Sequence, residues 1–259
     1  MSDSLQHNKD QDPWWGLRKF TNARIALGRV GVSVPTGESL AFSLAHAFAR
    51  DAVFERLEVV GCRLEISELH PCIVLHSRAE DRNQYLQRPD LGRRLNDESM
   101  AQLETLSGQY DICINVADGL SAIAINNHAV PLLKLLIPAM KQAGWSLAPV
   151  CIIEQGRVAI SDETGATLNA KLSIILIGER PGLSSPDSLG VYFTYGPAIG
   201  NTDERRNCIS NINANGLSYE DAATKIIFLV SESLRLQLSG IMLNDSGGML
   251  GNSRNDNIR

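Results

Sequence analysis

The residues best suited to chemistry lie where a dense apolar run ends. The run covers residues 172–177, and it breaks into the segment 178–183, which reads Gly-Glu-Arg-Pro-Gly-Leu. The glycines of this segment let the backbone approach a ligand closely, and its proline fixes the turn. Glu179 places a carboxylate there, beside the cation of Arg180. This could be a ligand contact, but on residue types alone a strand exit with a solvated ion pair is the commoner arrangement.

The apolar run indicates the element that must position this carboxylate. A continuous β-branched run without alternation is typical of a strand buried on both faces, which occurs mainly in parallel sheets covered by helices. In such sheets, ligands bind beyond the carboxyl ends of the strands. A second run, residues 112–116, ends in the loop 117–121, which is another place where a ligand could lie.

From Tyr110 to Leu243 the sequence alternates predicted strands and helices joined by short loops, which is typical of an α/β fold with a parallel sheet. The predicted elements after the first strand are, in order, a helix from His128 to Ala143 with Pro131 in its first turn, a strand from Leu147 to Ile153, a short helix opened by Ser161, the strand 172–177, and a last helix that starts at Ser218 and ends at Gly240.

The N-terminal part of the chain is predicted to be mainly helical. A helix from about Gly37 to Arg50 carries Leu40, Leu44 and either Ala47 or Phe48 on one face. The patterns together divide the chain into a disordered tail at 1–12, a mainly helical region at 13–105, an α/β domain at 106–243 and a second disordered tail at 244–259.

A charged segment at 81–95 stands out in the helical region. It contains three arginines, Arg88, Arg93 and Arg94, close in sequence to Asp90. Such a network is either a solvated surface or a contact with a partner subunit, and the sequence leaves both open.

Composition excludes several classes of function. The chain has 259 residues, 44% of them apolar and 20% charged, which is the balance of an ordinary globular protein with a sizeable core. Its net charge of -5 gives no basic footprint for nucleic acid. No apolar run approaches the roughly 20 residues of a membrane helix. The five cysteines are odd in number and form no C-x-x-C pair, which is typical of a reduced, cytosolic protein.

The sequence also lacks the common catalytic motifs. It contains no phosphate-binding G-x-x-x-x-G-K-[ST] loop, no G-x-S-x-G nucleophile elbow and no H-E-x-x-H zinc motif. Its five scattered histidines indicate neither a Ser-His triad nor a metal site. We therefore predict no catalytic residue and no metal ligand, and we expect a strand-end pocket that binds a molecule carrying the chemistry.

Seven segments, taken in order and spacing, make the sequence resemble the small (light) subunit family of ethanolamine ammonia-lyase. They span nearly the whole chain from about residue 21 to residue 243. The segments are TNARIALGRVG at 21–31, YLQRPDLGRRL at 85–95, VADGLSA at 116–122, KQAG at 141–144, GRVAISDETG at 156–165, IGERPGL at 177–183 and NCISNI at 207–212.

The resemblance implies a hetero-oligomer in which this chain is inactive alone. It implies a large barrel subunit that holds ethanolamine, and adenosylcobalamin bound between the two subunits. Cobalt–carbon homolysis then starts a radical reaction that yields acetaldehyde and ammonia. The small subunit completes the cobalamin pocket with a Rossmann-like domain, here residues 106–243 of the α/β fold.

The resemblance also implies three cofactor-binding residues, which are Val158, Glu179 and Cys208 in this chain. A carboxylate such as Glu179 accepts charge-assisted hydrogen bonds from amide or hydroxyl groups. Cys208 is not expected to ligate cobalt. None of the five histidines has an Asp two residues before it, as D-x-H-x-x-G requires, so we expect the cofactor to keep its own lower base.

Two other interpretations remain beside this one. The chain could be a non-catalytic interaction protein that keeps the fold and has lost its cofactor, although the intact segments at 177–183 and 207–212 disfavour this. An independent nucleotide-binding enzyme is disfavoured by the missing phosphate motifs. The expected location is the cytoplasm, either free or inside a bacterial microcompartment, and the short stretch before residue 21 weakens the second option.

Overall fold

The computed structural model describes residues 12–21 and 23–243, so the predicted tails fall outside the described residues except for Asp12. The helices are α1 (Thr36–Phe54), α2 (Val59–Leu69), α3 (Arg82–Gln87), α4 (Asp97–Glu104), α5 (Ala122–Gln142), α6 (Ile160–Thr167) and α7 (Tyr219–Leu236), with short 3₁₀ turns at Trp15–Phe20, Leu91–Arg93, Asp203–Arg205 and Gly240–Met242. The strands are β1 (Cys72–His76), β2 (Tyr110–Ala117), β3 (Val150–Glu154), β4 (Ala170–Gly178), β5 (Leu189–Tyr195) and β6 (Asn207–Ile212).

The six strands form one mixed sheet in the order β1-β3-β2-β4-β5-β6. The first four strands in this order are parallel, whereas β5 is antiparallel to both β4 and β6. The prediction of a Rossmann-like parallel sheet is therefore wrong for β5, which pairs antiparallel with both of its neighbours. Segments 179–188 and 196–206 join these strands without an α-helix, and a parallel crossover needs about a dozen residues or more.

Two apolar clusters cover the two faces of the sheet. One cluster packs α2, α5 and α7 against alternate residues of the strands, including Ile114 and Phe193. The other packs α4 and α6 against the opposite residues, including Cys113 and Ile175. The strands β2 and β4 are buried on both faces, as their continuous apolar runs predicted.

The central helix α5 starts six residues earlier than predicted. Ser121 caps it by accepting a hydrogen bond from the N–H of Ala124, so Pro131 lies in the helix interior and not in its first turn. The 21-residue helix has a mean hydropathy of 1.3 over its most apolar window, enough by length and composition to cross a membrane. Of that window, 56% is buried in this fold, as expected for a core helix.

The last helix begins as predicted and ends earlier than predicted. Ser218 accepts a hydrogen bond from the N–H of Asp221 and donates its hydroxyl proton to the Asp221 carboxylate. The helix stops at Leu236 because Gln237 adopts a left-handed conformation with φ of 57°. Gly240, the predicted end, instead begins a separate 3₁₀ turn.

Helix α6 also begins one residue before the position predicted for its opening. The structure starts it at Ile160, and Ser161 lies inside it with its hydroxyl donated to the carbonyl of Val158. The strand predicted at Leu147 to Ile153 is observed at Val150–Glu154. Apolar periodicity locates such elements but does not fix the residues at which they begin and end.

Candidate functional site

Glu179 directly follows β4, at the carboxyl end of a buried strand as the sequence predicted. Gly178 before it packs against the backbone of the loop after β2, at Asp118 and Ser121, so closely that a Cβ there would overlap that backbone. The N–H of Leu120 also donates to the carbonyl of Gly178, at 3.0 Å. The position where Glu179 leaves the sheet is therefore held by backbone contacts that require glycine.

The carboxylate of Glu179 is oriented by two donors. Its Oε2 atom accepts a hydrogen bond from the Ser188 hydroxyl and another, at 3.2 Å, from the N–H of Asn211. A Cβ at Gly190 would lie 3.0 Å from the other oxygen, Oε1, so the carboxylate lies over this glycine. Neither hydrogen bond uses Oε1, and this half-buried oxygen is left to accept from a further donor.

The loop that carries Ser188 is held by contacts with α5 and its N-terminal capping residue. The Ser121 hydroxyl donates to the carbonyl of Pro186 at 2.8 Å. His128, which is buried, lies 3.2 Å from the Asp187 carboxylate through Nε2 and 2.7 Å from the Tyr219 hydroxyl through Nδ1. Ser188, whose hydroxyl donates to Glu179, therefore directly follows residues that are bonded to the core helix α5 and its capping residue.

Cys208 lies on β6, the edge strand of the sheet, opposite Tyr192 of β5. Alternate residues of β5 point into the cluster with α5 and α7, and the others point to the opposite side. On that opposite side Cys208 and Ser210 are exposed and Tyr192 is half-buried. These residues and Gly190 form a ledge, which we call the open ledge.

Local electrostatics keep the thiol of Cys208 protonated. Partial desolvation raises the pKa of Cys208, the nearby Glu179 carboxylate raises it further, and the interaction with the Tyr192 hydroxyl opposes both. Desolvation likewise raises the pKa of Tyr192, with Cys208 and Glu179 contributing. The pKa values of Cys208 and Tyr192 therefore depend on each other and on the nearby Glu179. At neutral pH the open ledge offers a neutral thiol beside the Glu179 side chain.

Val158 lies in the turn between β3 and α6. It is half-buried and packs against the same apolar cluster as Tyr192. Its carbonyl accepts two hydrogen bonds from Ser161, from the hydroxyl at 2.8 Å and from the N–H at 3.2 Å. The turn is therefore rigid, and its valine borders the side of the sheet on which the open ledge lies.

Asp118 ties the ends of β2 and β3 together beneath this turn. Its two oxygens accept from the N–H groups of Gln155 and Gly156 at 3.0 and 3.1 Å. Burial raises the pKa of Asp118 to about 6, although Arg82 and the backbone N–H groups oppose the shift. Arg82 lies 3.6 Å from the carboxylate and donates to the carbonyl of Gly119 at 2.8 Å.

The charged segment at 81–95 is used partly inside the chain. Arg94 pairs with the buried Glu163 at 2.6 Å, and Glu163 also accepts the N–H of Leu95. Arg88 makes an exposed bidentate contact with Asp90. The interpretation as a solvated network thus fits Arg88 and Asp90, whereas Arg94 anchors α6 to the segment.

The structure brings Glu179 and Cys208 to one ledge, with Val158 bordering the same side of the sheet. The sequence interpretation missed the residues that orient them, Ser188 and Asn211, and the ledge residue Tyr192. The alternation of β5 carried a signal, because small or polar residues at 190, 192 and 194 alternate with apolar ones at 189, 191 and 193. Asn211 gave no local signal, because its left-handed backbone, φ 62°, depends on the turn that follows β6.

The fold and the ledge define a mixed α/β protein with a carboxylate-rimmed surface beside the carboxyl end of β4. The sequence profile of the ethanolamine ammonia-lyase light chain (EutC) matches residues 11–244. The chain belongs to this family of light chains.

Curated relatives agree with the profile. A Pseudomonas putida protein, strain GB-1, is 53% identical over 90% of this chain and 88% of its own length. A Pseudomonas fluorescens protein is 52% identical over 91% and 88%, and a Ralstonia nicotianae protein is 52% identical over 91% and 89%. Each of the three is named as an ethanolamine ammonia-lyase small subunit.

Proposed function

We propose that this chain, a small subunit of ethanolamine ammonia-lyase by its family, forms one wall of an adenosylcobalamin site that the large subunit completes. The observation that carries the proposal is the orientation of Glu179, whose carboxylate is held by Ser188 and Asn211 at the rim of the open ledge. In this arrangement domain 106–243 binds the cofactor and ethanolamine stays on the large subunit.

The residues of the ledge fit the chemistry of cobalamin. Cobalamin is a broad disc fringed by amide groups, so it needs an open surface with small residues and acceptors at the rim. Gly190 has no side chain, which leaves room for the Glu179 carboxylate above it, and Oε1 of Glu179 has acceptor capacity for an amide N–H. Cys208 offers a neutral, polarisable surface, and Val158 offers an apolar contact.

Bound adenosylcobalamin supplies radical chemistry through homolysis of its cobalt–carbon bond. In our proposal this chain binds and orients the cofactor and contributes no group to the reacting atoms, so it is inactive alone. The whole lyase reaction, from ethanolamine to acetaldehyde and ammonia, then requires both subunits. We propose the cytoplasm, free or within a microcompartment, as the location, in line with the odd cysteine count without a C-x-x-C pair.

Reconstitution tests the function directly. This chain is mixed with the large subunit, adenosylcobalamin and ethanolamine, and acetaldehyde is measured, with controls that lack each protein. We expect product only when both chains are present. A folded complex that binds no cobalamin and forms no product would overturn the proposal and favour an interaction protein that has lost the cofactor.

The substitution Glu179→Gln tests the site itself. It removes the charge at nearly constant shape, so we expect the dissociation constant of adenosylcobalamin from the assembled complex to rise about tenfold. Glu104→Gln, at an exposed carboxylate on α4, is the matched control and should leave that constant unchanged. An unchanged constant for Glu179→Gln would remove this residue from the site.

A further inference from the structure

Helix α1 turns small apolar residues toward the protein and large apolar residues toward solvent, which is the reverse of the arrangement in the rest of the fold. Ala52 is buried and Ala45 and Ala49 are half-buried, and this spacing places the three alanines on one face, toward the body of the protein. Leu40, Leu44 and Phe48 share another face at four-residue spacing, and their exposed fractions are 65%, 56% and 58%. We call these three residues the outer face of α1.

The outer face lies in the segment of the chain that exposes most of its large apolar side chains. Of the twenty large apolar residues that are exposed among the described residues, fourteen lie between positions 14 and 64. Exposed apolar residues concentrated in this way indicate an interaction site. Besides the outer face, its members are Trp14, Trp15, Leu17, Phe20, Val30, Val32, Val34, Phe42, Phe54, Val60 and Leu64.

A helix in this state needs a partner to hold it. Most helical stability in proteins comes from packing of an apolar face rather than from the intrinsic helix propensity of the residues. In α1 just one of nineteen residues is buried. The large apolar side chains of α1 are therefore available to pack against a second surface, which the residues that the structure describes do not supply.

The position of this surface indicates which partner covers it. Arg24 donates to the carbonyl of Leu183 at 3.4 Å, in the same loop that runs from Glu179 to Ser188. The Arg24 guanidinium also lies 5.7 Å from the ring centre of Phe42 on α1. The apolar surface and the rim of the open ledge are therefore connected through one arginine, and a protein that closes the ledge reaches α1 as well.

We propose that the outer face of α1 is a docking surface for the large subunit of ethanolamine ammonia-lyase. The inference rests on the proposed function, because it takes the large subunit as the protein that closes the ledge. Apolar side chains dominate the outer face, as they do in permanent interfaces between subunits. The region that matches the light-chain family, residues 11–244, includes the whole of α1.

The test uses the full chain and the large subunit in a binding titration, followed by calorimetry or sedimentation. Phe48→Glu places a charge in the outer face, and Leu44→Glu combined with it adds a second. We expect the single variant to weaken the complex at least tenfold and the double variant to abolish it. Because both positions are exposed, circular dichroism and the melting transition of the isolated chain should stay close to wild type.

Ile199→Glu is the matched control. Ile199 has the same exposed fraction as Phe48, 58%, but lies in the connection after β5, near the start of β4 and away from the ledge rim. It should change the affinity less than twofold. Equal affinities for Phe48→Glu and wild type would overturn the inference and leave the proposed function standing.

Two other results have separate meanings. Failure of the wild-type chain to bind the large subunit would overturn the proposed function together with the inference. If the isolated wild-type chain forms dimers that Phe48→Glu dissociates, while the variant keeps full affinity for the large subunit, then the face belongs to a second copy and the inference is wrong.

Discussion

Large apolar side chains are mostly exposed in the N-terminal segment, up to Phe54, and mostly buried in the sheet region, from Cys72 to Leu243. In the sheet region the large apolar side chains fill two clusters around the strands. In the N-terminal segment Ala52 is the buried residue of α1, and the large side chains face outward. The difference teaches that the sheet region satisfies its large apolar residues within the chain, whereas in our proposal the N-terminal segment satisfies them against the large subunit.

The largest expected difference concerns stability of the isolated chain. Phe193→Ala removes a ring that is 1% exposed, and we expect it to lower the free energy of unfolding by about 3–5 kcal/mol. Phe48→Ala removes a ring that is 58% exposed and should change it by less than about 0.5 kcal/mol. Denaturant titrations of both variants check this, and comparable losses would break the comparison.

A smaller effect follows from the buried carboxyl of Asp118. Its pKa in the folded protein, about 6, is higher than the roughly 3.9 of an unfolded Asp, so the folded state holds the proton to higher pH. Its contribution to stability is therefore largest at low pH and is lost as pH rises through 6. We expect a loss of about 1 kcal/mol between pH 5 and 7.

Asp118→Asn separates this contribution from the others. The variant lacks the titrating group, so its free energy of unfolding should fall less than that of wild type between pH 5 and 7. Phe48→Ala, in the N-terminal segment, should keep the wild-type slope. If the free energy of unfolding of Asp118→Asn fell as steeply with pH as that of wild type, the pH dependence would come from other groups.

The smallest effect is expected at Ser188. Ser188→Ala removes one of the two donors to Glu179, and we expect the dissociation constant of adenosylcobalamin from the assembled complex to rise about threefold. Binding of the large subunit should stay unchanged, which would separate the ledge from the outer face of α1. Ser184→Ala, at an exposed serine of the same loop, is the control.

Local patterns predicted much of the sheet region. Continuous apolar runs located β2 and β4, and the spacing of Ser218 and Asp221 located the start of α7. Strand direction was not predictable in the same way, because it depends on whether a connection carries a helix. The loop 179–188 carries none, and β5 therefore turns back antiparallel to β4.

The N-terminal segment shows a different limit. The periodicity of Leu40, Leu44 and Phe48 correctly predicted a helix with these residues on one face. Periodicity reports that a face is apolar, but it does not report whether the same chain or another one covers it. The candidate site shows the same limit, since Glu179 stood out in the sequence while its two donors, Ser188 and Asn211, did not.

The backbone ties among the strand ends have a consequence for the encounter with a ligand. Asp118 joins the ends of β2 and β3, and Gly178 packs the end of β4 against the same loop. The ends of β2, β3 and β4 therefore form one connected frame, from which Glu179 leaves the sheet. If the ledge binds adenosylcobalamin as we propose, this frame holds Glu179 in place, and we expect the association rate to depend on diffusion and on access between the subunits.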